Sequence, residues 1–210
     1  MLKNIRILAD YCSCFYKLTS SILILLLITF TGCGLFSTRG SEAPNESRSN
    51  FQPPTDPNIV LVNLQSSISD KNLNNYLLCF VDSTYSTRRF SYTADITSQI
   101  QYPIFRNWTL TNESSYLRNL FALMNPQATS ILFFSSSSQP IVASDTAIFD
   151  SDYLLRVDHQ KTTVAKTITG KIRLIMSMDS RNLWAIHNWI DFKSLDTDTT
   201  WSVLKANFSN

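Results

Sequence analysis

Glycine is scarce in this chain, with four in 210 residues at positions 32, 34, 40 and 170. A loop that cradles phosphate needs clustered glycines so that the backbone can approach the anion, and one glycine beyond residue 40 excludes a nucleotide site of that kind. Histidine is rarer still. His159 and His187 are the two present, and no cluster of His, Cys and carboxylate at ligand spacing accompanies them, so neither a metal nor any other cofactor is expected. Of the four cysteines, only Cys79 falls beyond residue 40. Flanked by Leu77, Leu78 and Phe80, it reads as a buried thiol acting as a small hydrophobe. An excess of positive charge is also missing. Of 18 Lys and Arg and 16 Asp and Glu, Lys3, Arg6, Lys17 and Asp10 precede Cys33, which leaves 15 of each sign from there on. A balanced chain without a basic stretch has no electrostatic hold on phosphate backbones, and nucleic acid is excluded as a partner.

One long apolar run is present, Ile22 to Ile28, preceded by Lys3, Arg6 and Lys17 and followed by the small residues Thr31 and Gly32 ahead of Cys33. That order is the plan of an export signal. The run from Leu18 to Gly32, about 15 residues with several Ser and Thr, is shorter than the roughly 20 apolar residues that a spanning helix needs. From residue 37 to 54 the chain is rich in Ser, Asn and Pro, with too little apolar surface to order itself, and a segment of about 20 such residues reaches roughly 25 Å. The expected organisation is a signal over residues 1–32, an anchor and tether over 33–54 and one folded domain over 55–210.

Within the domain, Asp56 before Pro57 marks a helix start, and Ile59, Val62, Leu64 and Ile68 give an approximate helical stripe. Leu73, Tyr76, Leu77 and Phe80 predict a second, short helix. A strand is expected over 89–93, a loop with Pro103 leads to Trp108, and Tyr116, Leu117, Leu120 and Phe121 predict a third helix over 113–123. Everything beyond Pro126 reads as strand, chiefly 131–135, 146–157, 164–178 and 183–192. Ile172, Leu174, Met176 and Met178 alternate with Lys171, Arg173 and Ser177, the period of a sheet covered on one face. Helices first and antiparallel strands last predict an α+β fold, with N-terminal helices packed on a curved antiparallel sheet.

Phe30-Thr31-Gly32-Cys33 resembles the bacterial lipobox. The resemblance implies removal of the leader ahead of Cys33, a diacylglycerol thioether on that cysteine and a third acyl chain on its new amino group, which anchors the protein to a membrane of the cell envelope. Gly34 stands where a retention signal would have Asp, which favours the outer membrane in a two-membrane cell. The domain resembles the nuclear transport factor 2-like, or cystatin-like, superfamily, a bent sheet wrapped round a helical hairpin. The residues that carry this resemblance are Asp56-Pro57, the segment from Asn74 to Phe80, Trp108, and the run from Leu183 to Asp191. The closing Thr200-Trp201-Ser202-Val203-Leu204-Lys205 is similar to an envelope lipoprotein subgroup of that superfamily. Its enzymes place Asp, His, Tyr or Arg inside the cone, and no motif here matches any of them residue by residue.

The candidate pocket residues are Tyr76, Tyr92, Trp108, His187, Trp189 and Asp191. Strict alternation places Ala185, His187, Trp189 and Asp191 on one sheet face, with His187 and Asp191 about 13 Å apart at roughly 3.3 Å per residue. Asp145, Asp150, Asp152 and Asp158 lack the glycine turn of a calcium loop and read as solvated strand edges. Three functions stay open on the sequence. One is a non-catalytic lipoprotein whose cone binds a small apolar ligand or an envelope protein. Another is a polyketide-cyclase-like or isomerase-like enzyme with Asp191 or Asp82 as base, its pKa raised in an apolar cone. The last is a scaffold that forms a homodimer through the open sheet face.

Overall fold

Residues 50–209 are described by a computed structural model; the leader, Cys33 and most of the tether lie outside the described residues. Helix α1, Pro57–Ser69, starts where Asp56 accepts the Asn58 N–H at 2.8 Å, with proline in the first turn where no intrahelical donor is needed. Its buried stripe runs through Val60, Leu61, Leu64, Ser67 and Ile68, so Val62, assigned to that stripe from sequence, faces outward at 47% exposed. The helix ends at Lys71, whose φ of 52° lets its N–H and that of Asn72 turn back onto Ile68 O and Ser67 O. Asn72 then caps the short α2, Leu73–Leu77. Residues 51–54, placed in the tether on composition, pack on the domain. Gln52 and Asn63 exchange two hydrogen bonds, and the Trp184 N–H donates to Pro54 O.

Among the described residues six strands form one sheet, ordered β1-β6-β5-β4-β2 with β3 also on β4. β1 is Ser91–Thr93, β2 Ile131–Phe134, β3 Ile141–Ala143, β4 Thr146–Arg156, β5 Thr167–Met178 and β6 Trp184–Phe192. Only the β1–β6 pairing is parallel. Helix α1 touches both β2 and β6, which have β5 and β4 between them in this order, so it lies across the covered face of the sheet. The sheet is curved and unclosed, its concave face covered by helices. The α+β class expected from the sequence holds.

Curvature has two local sources. Gly170 lies opposite Tyr153 in the β4–β5 ladder, and a Cβ there would meet Phe192 O at 2.6 Å and the Tyr153 hydroxyl at 2.8 Å. Only glycine admits the tyrosine ring and the neighbouring strand together. On β6, Asn188 pairs with Ile175 but Ile186 pairs with Met176, so His187 is the extra residue of a bulge.

Several elements depart from the sequence expectation. Helix α3, Ile96–Gln101, capped by Asp95, and a 3₁₀ turn over Pro103–Asn107 occupy the stretch read as loop. Helix α4, Leu110–Ala122, starts three residues earlier than expected, through a capping box between Thr109 and Asn112. Beyond Phe192, where strand texture was expected to continue, Trp201–Phe208 is helix α5. It buries Trp201, Leu204, Lys205 and Phe208, spaced i, i+3, i+4, i+7, against α4 and β5. Tertiary packing decides here: the stripe is helical, and its lysine hides that from a reading by apolar pattern.

Candidate functional site

The interior of the cone is polar at its centre. Helix α4 aims Glu113 inward on the same stripe as Tyr116, Leu117 and Leu120, and α5 brings Lys205 to meet it. Both side chains are 0% exposed, and the ammonium Nζ lies 2.8 and 2.9 Å from the two carboxylate oxygens. Glu113 also accepts from the Tyr76 hydroxyl at 2.5 Å and the Trp108 indole N–H at 2.6 Å. Tyr76 and Tyr116 hydroxyls are 3.0 Å apart, and the Trp201 indole N–H donates to Tyr116 at 3.1 Å. The Lys205 ammonium completes its surroundings with aromatic faces, at 3.6 Å from the Tyr92 ring centre and 3.7 Å from that of Trp189.

A second carboxylate lies beside this group. Asp191 on β6 is fully buried and accepts the Ser202 N–H at 2.7 Å, the Ser202 hydroxyl at 2.5 Å and the Tyr153 hydroxyl at 2.8 Å. Tyr153 in turn accepts the Trp201 N–H, and Tyr92 bonds the Ser202 hydroxyl at 2.7 Å. Thr200 donates to Asp95, which caps α3, so the chain entering α5 is tied at Thr200, Trp201 and Ser202. Burial pushes the Asp191 carboxyl up to about 6, against the pull of its hydrogen bonds and of Lys205. Burial likewise pulls the Lys205 ammonium down to about 8, with Glu113 and Asp191 opposing. Tyr76, Tyr92, Tyr116 and Tyr153 are all pushed well above the usual phenol range, first by burial and then by these carboxylates.

Five of the six residues proposed from sequence therefore meet. Tyr76, Tyr92, Trp108, Trp189 and Asp191 surround one polar centre, but as packed interior: Tyr92 is edge-on to Trp189 at 5.7 Å, and Trp189 is edge-on to Trp201 at 4.7 Å. His187 is separate. The bulge breaks the alternation that placed it with Trp189 and Asp191, and it sits half-buried with its pKa lowered by burial and by Arg88, Asp145 opposing. Asp82 is exposed and accepts the Thr84 N–H. Glu113, Tyr116, Tyr153, Ser202 and Lys205 are not among the pocket residues proposed from sequence. The helical stripes of α4 and α5 were the available signal, each carrying one charged residue at a core position.

Cys79 is buried, with its thiol pushed up by desolvation and directed to Asn75 O. Asp150 pairs with Arg173 and Asp158 with Lys166, both at exposed positions, while Asp152 accepts from Ser194. Among the described residues no group of three or more His, Cys, Asp or Glu could hold a metal, and no helix is long and apolar enough to cross a membrane.

A groove of about 800 Å³ opens on the surface beside α2 and the start of α4. Leu77, Leu78, Phe80, Phe90, Leu110 and Trp184 give it an apolar lining, with Arg88, Arg89 and Arg181 against Asp82 and Asp179 around it. Arg181 is held by Asp179 and stacks on Tyr85, while Arg88 reaches Asp145 at 3.6 Å. Leu78 is 58% exposed within this groove.

No family profile matches the chain, and no curated protein matches its sequence. Solved structures are similar in chain path. A nuclear transport factor 2-like superfamily protein from Salmonella enterica is 12% identical over 67% of this chain and 89% of its own, with a TM-score of 0.45. A protein of the same family from Streptomyces avermitilis, whose name carries a dehydratase activity, is 7% identical over 66% and 93%, with a TM-score of 0.49. A ketosteroid isomerase-like protein from Erwinia carotovora atroseptica is 6% identical over 66% and 93%, with a TM-score of 0.46. At these identities and TM-scores no residue of the interior network is carried across from them.

Proposed function

We propose that this protein is a non-catalytic binding module, tethered to an envelope membrane through acylated Cys33, that takes up a small apolar ligand in the groove beside α2. One observation carries this reading: the cone interior is filled by the chain's own α5, which engages both buried carboxylates. Glu113 takes four contacts from three donor groups and Asp191 accepts four hydrogen bonds, so neither faces a space where a substrate could meet it. Asp82, the other candidate base, lies exposed beside the groove with its carboxyl held below the usual range by the Thr84 N–H, opposite to the raised base that the enzyme alternative calls for. The groove has the size of a small-molecule site, an apolar floor and arginine at its rim, features that suit an amphiphile with an apolar body and an acidic head. Arg89 is exposed and close to that floor.

A fluorescent fatty acid titrated into the domain tests the reading. Wild type is expected to bind saturably, and Leu78→Glu and Arg89→Glu to weaken binding by about tenfold each, about 1.4 kcal/mol, without lowering stability, since both side chains are exposed. Saturable binding that neither substitution alters would place the ligand elsewhere.

A further inference from the structure

Lys205 is an ammonium held as a ligand would be. Its Nζ lies over Tyr92 and Trp189, with the rings of Tyr116 and Trp108 at 5.4 and 5.8 Å, and both Glu113 oxygens within 2.9 Å. A carboxylate for the charge and aromatic faces for the rest is the combination that recognises organic cations. For stability alone it is a poor choice, because two charges taken out of water lose hydration that their pairing barely returns, and apolar residues of similar volume commonly do as well. Lys205 arrives on a separate eight-residue helix, following a loop whose residues 193–198 are mostly exposed.

We propose that the chamber beneath α5 is a site for a primary ammonium group on a short alkyl stem, occupied in this structure by Lys205 from the same chain. Helix α5 is then a stopper. Its withdrawal would uncover Glu113 and Asp191 framed by Tyr76, Tyr92, Tyr116 and Trp189. The site and its cationic ligand are distinct from the groove and its acidic amphiphile, and the groove reading describes the state with α5 seated.

The Lys205→Ala variant of the full chain lacks three stem carbons and the ammonium, the atoms of propylammonium. The variant is expected to melt below wild type, and propylammonium chloride to restore its melting temperature saturably where 1-propanol and sodium chloride do not. Adding Glu113→Gln should weaken that binding by about tenfold or more. Equal rescue by 1-propanol, or no rescue of a folded variant, overturns the proposal. Should the variant not fold, wild type decides. Propylammonium is expected to speed hydrogen exchange at the Trp201–Phe208 amides relative to sodium chloride at matched ionic strength, and unchanged exchange there overturns the proposal.

Discussion

Replacing Asp191 with Asn should remove a pH dependence of stability that runs opposite to the usual carboxylate pattern. The Asp191 carboxyl is raised from 3.8 to about 6 by burial, so the folded state binds its proton more tightly than the unfolded state does. Its contribution is therefore fully present below about pH 4 and is lost as pH rises through 6. A shift of this size corresponds to about 3 kcal/mol at most, at 1.36 kcal/mol per pH unit. Other carboxylates act in the opposite sense. Asp95, Asp179 and Asp198 are lowered by hydrogen bonds that outweigh their desolvation, and their stabilisation is lost on acidification below pH 4. The difference between wild type and Asp191→Asn reports this group together with its coupling to Lys205. Urea unfolding followed by tryptophan fluorescence, with Trp189 and Trp201 packed beside the site, should show wild type losing stability relative to the variant between pH 4 and pH 7. A wild type that gains stability over the variant across that window would mean that the buried carboxylate is held preferentially as the ion, and the reasoning would fail.

Further outcomes follow from other parts of the molecule. Lys205→Met leaves Glu113 buried without its counter-ion and should cost about 3–5 kcal/mol in urea unfolding, with Glu113→Gln recovering part of it; a loss under about 1 kcal/mol would show that the pair is dispensable. Gly170→Ala should cost about 1–3 kcal/mol, because the new methyl meets Phe192 O and the Tyr153 hydroxyl, and an unchanged melting temperature would remove glycine's role in the bend. Cys33→Ser should accumulate as an unprocessed, unlabelled precursor in cells fed radioactive palmitate, whereas Cys79→Ser should label normally; equal labelling of Cys33→Ser and wild type ends the lipid-anchor proposal. On the outer sheet face Phe133 pairs across from Leu154 and Ile141 from Ile148, all exposed, so the domain should sediment as a homodimer that Phe133→Lys dissociates, and a monomer at every concentration removes the scaffold alternative.

Local signals in the sequence were reliable where chemistry acts within a few residues. Asp56-Pro57 sets the start of α1, and the alternation from Lys171 to Met176 sets the inward face of β5. What sequence missed depends on contacts distant along the chain. The bulge at His187 lies where β6 pairs with β5 and, through Ile186, with Phe80, and no local pattern announces it. Lys205 and Glu113, 92 positions apart, each look like a solvated charge until their partner is placed. Tyr76, Tyr92, Trp108, Trp189 and Asp191 were legible as a group, being aromatic or acidic at inward positions. Their packing against α5 was not legible, since no helix is expected from the sequence beyond Phe192.

Hydrogen exchange in the presence of dodecanoate tests most directly the claim that α5 closes the cone and leaves ligand uptake to the groove. Protection is expected at the amides of Leu77–Val81 and Arg88–Phe90, with Trp189 and Trp201–Phe208 unchanged. Protection or opening centred on Trp189, Trp201 and Lys205, with the groove silent, would put the ligand inside the cone and contradict the account.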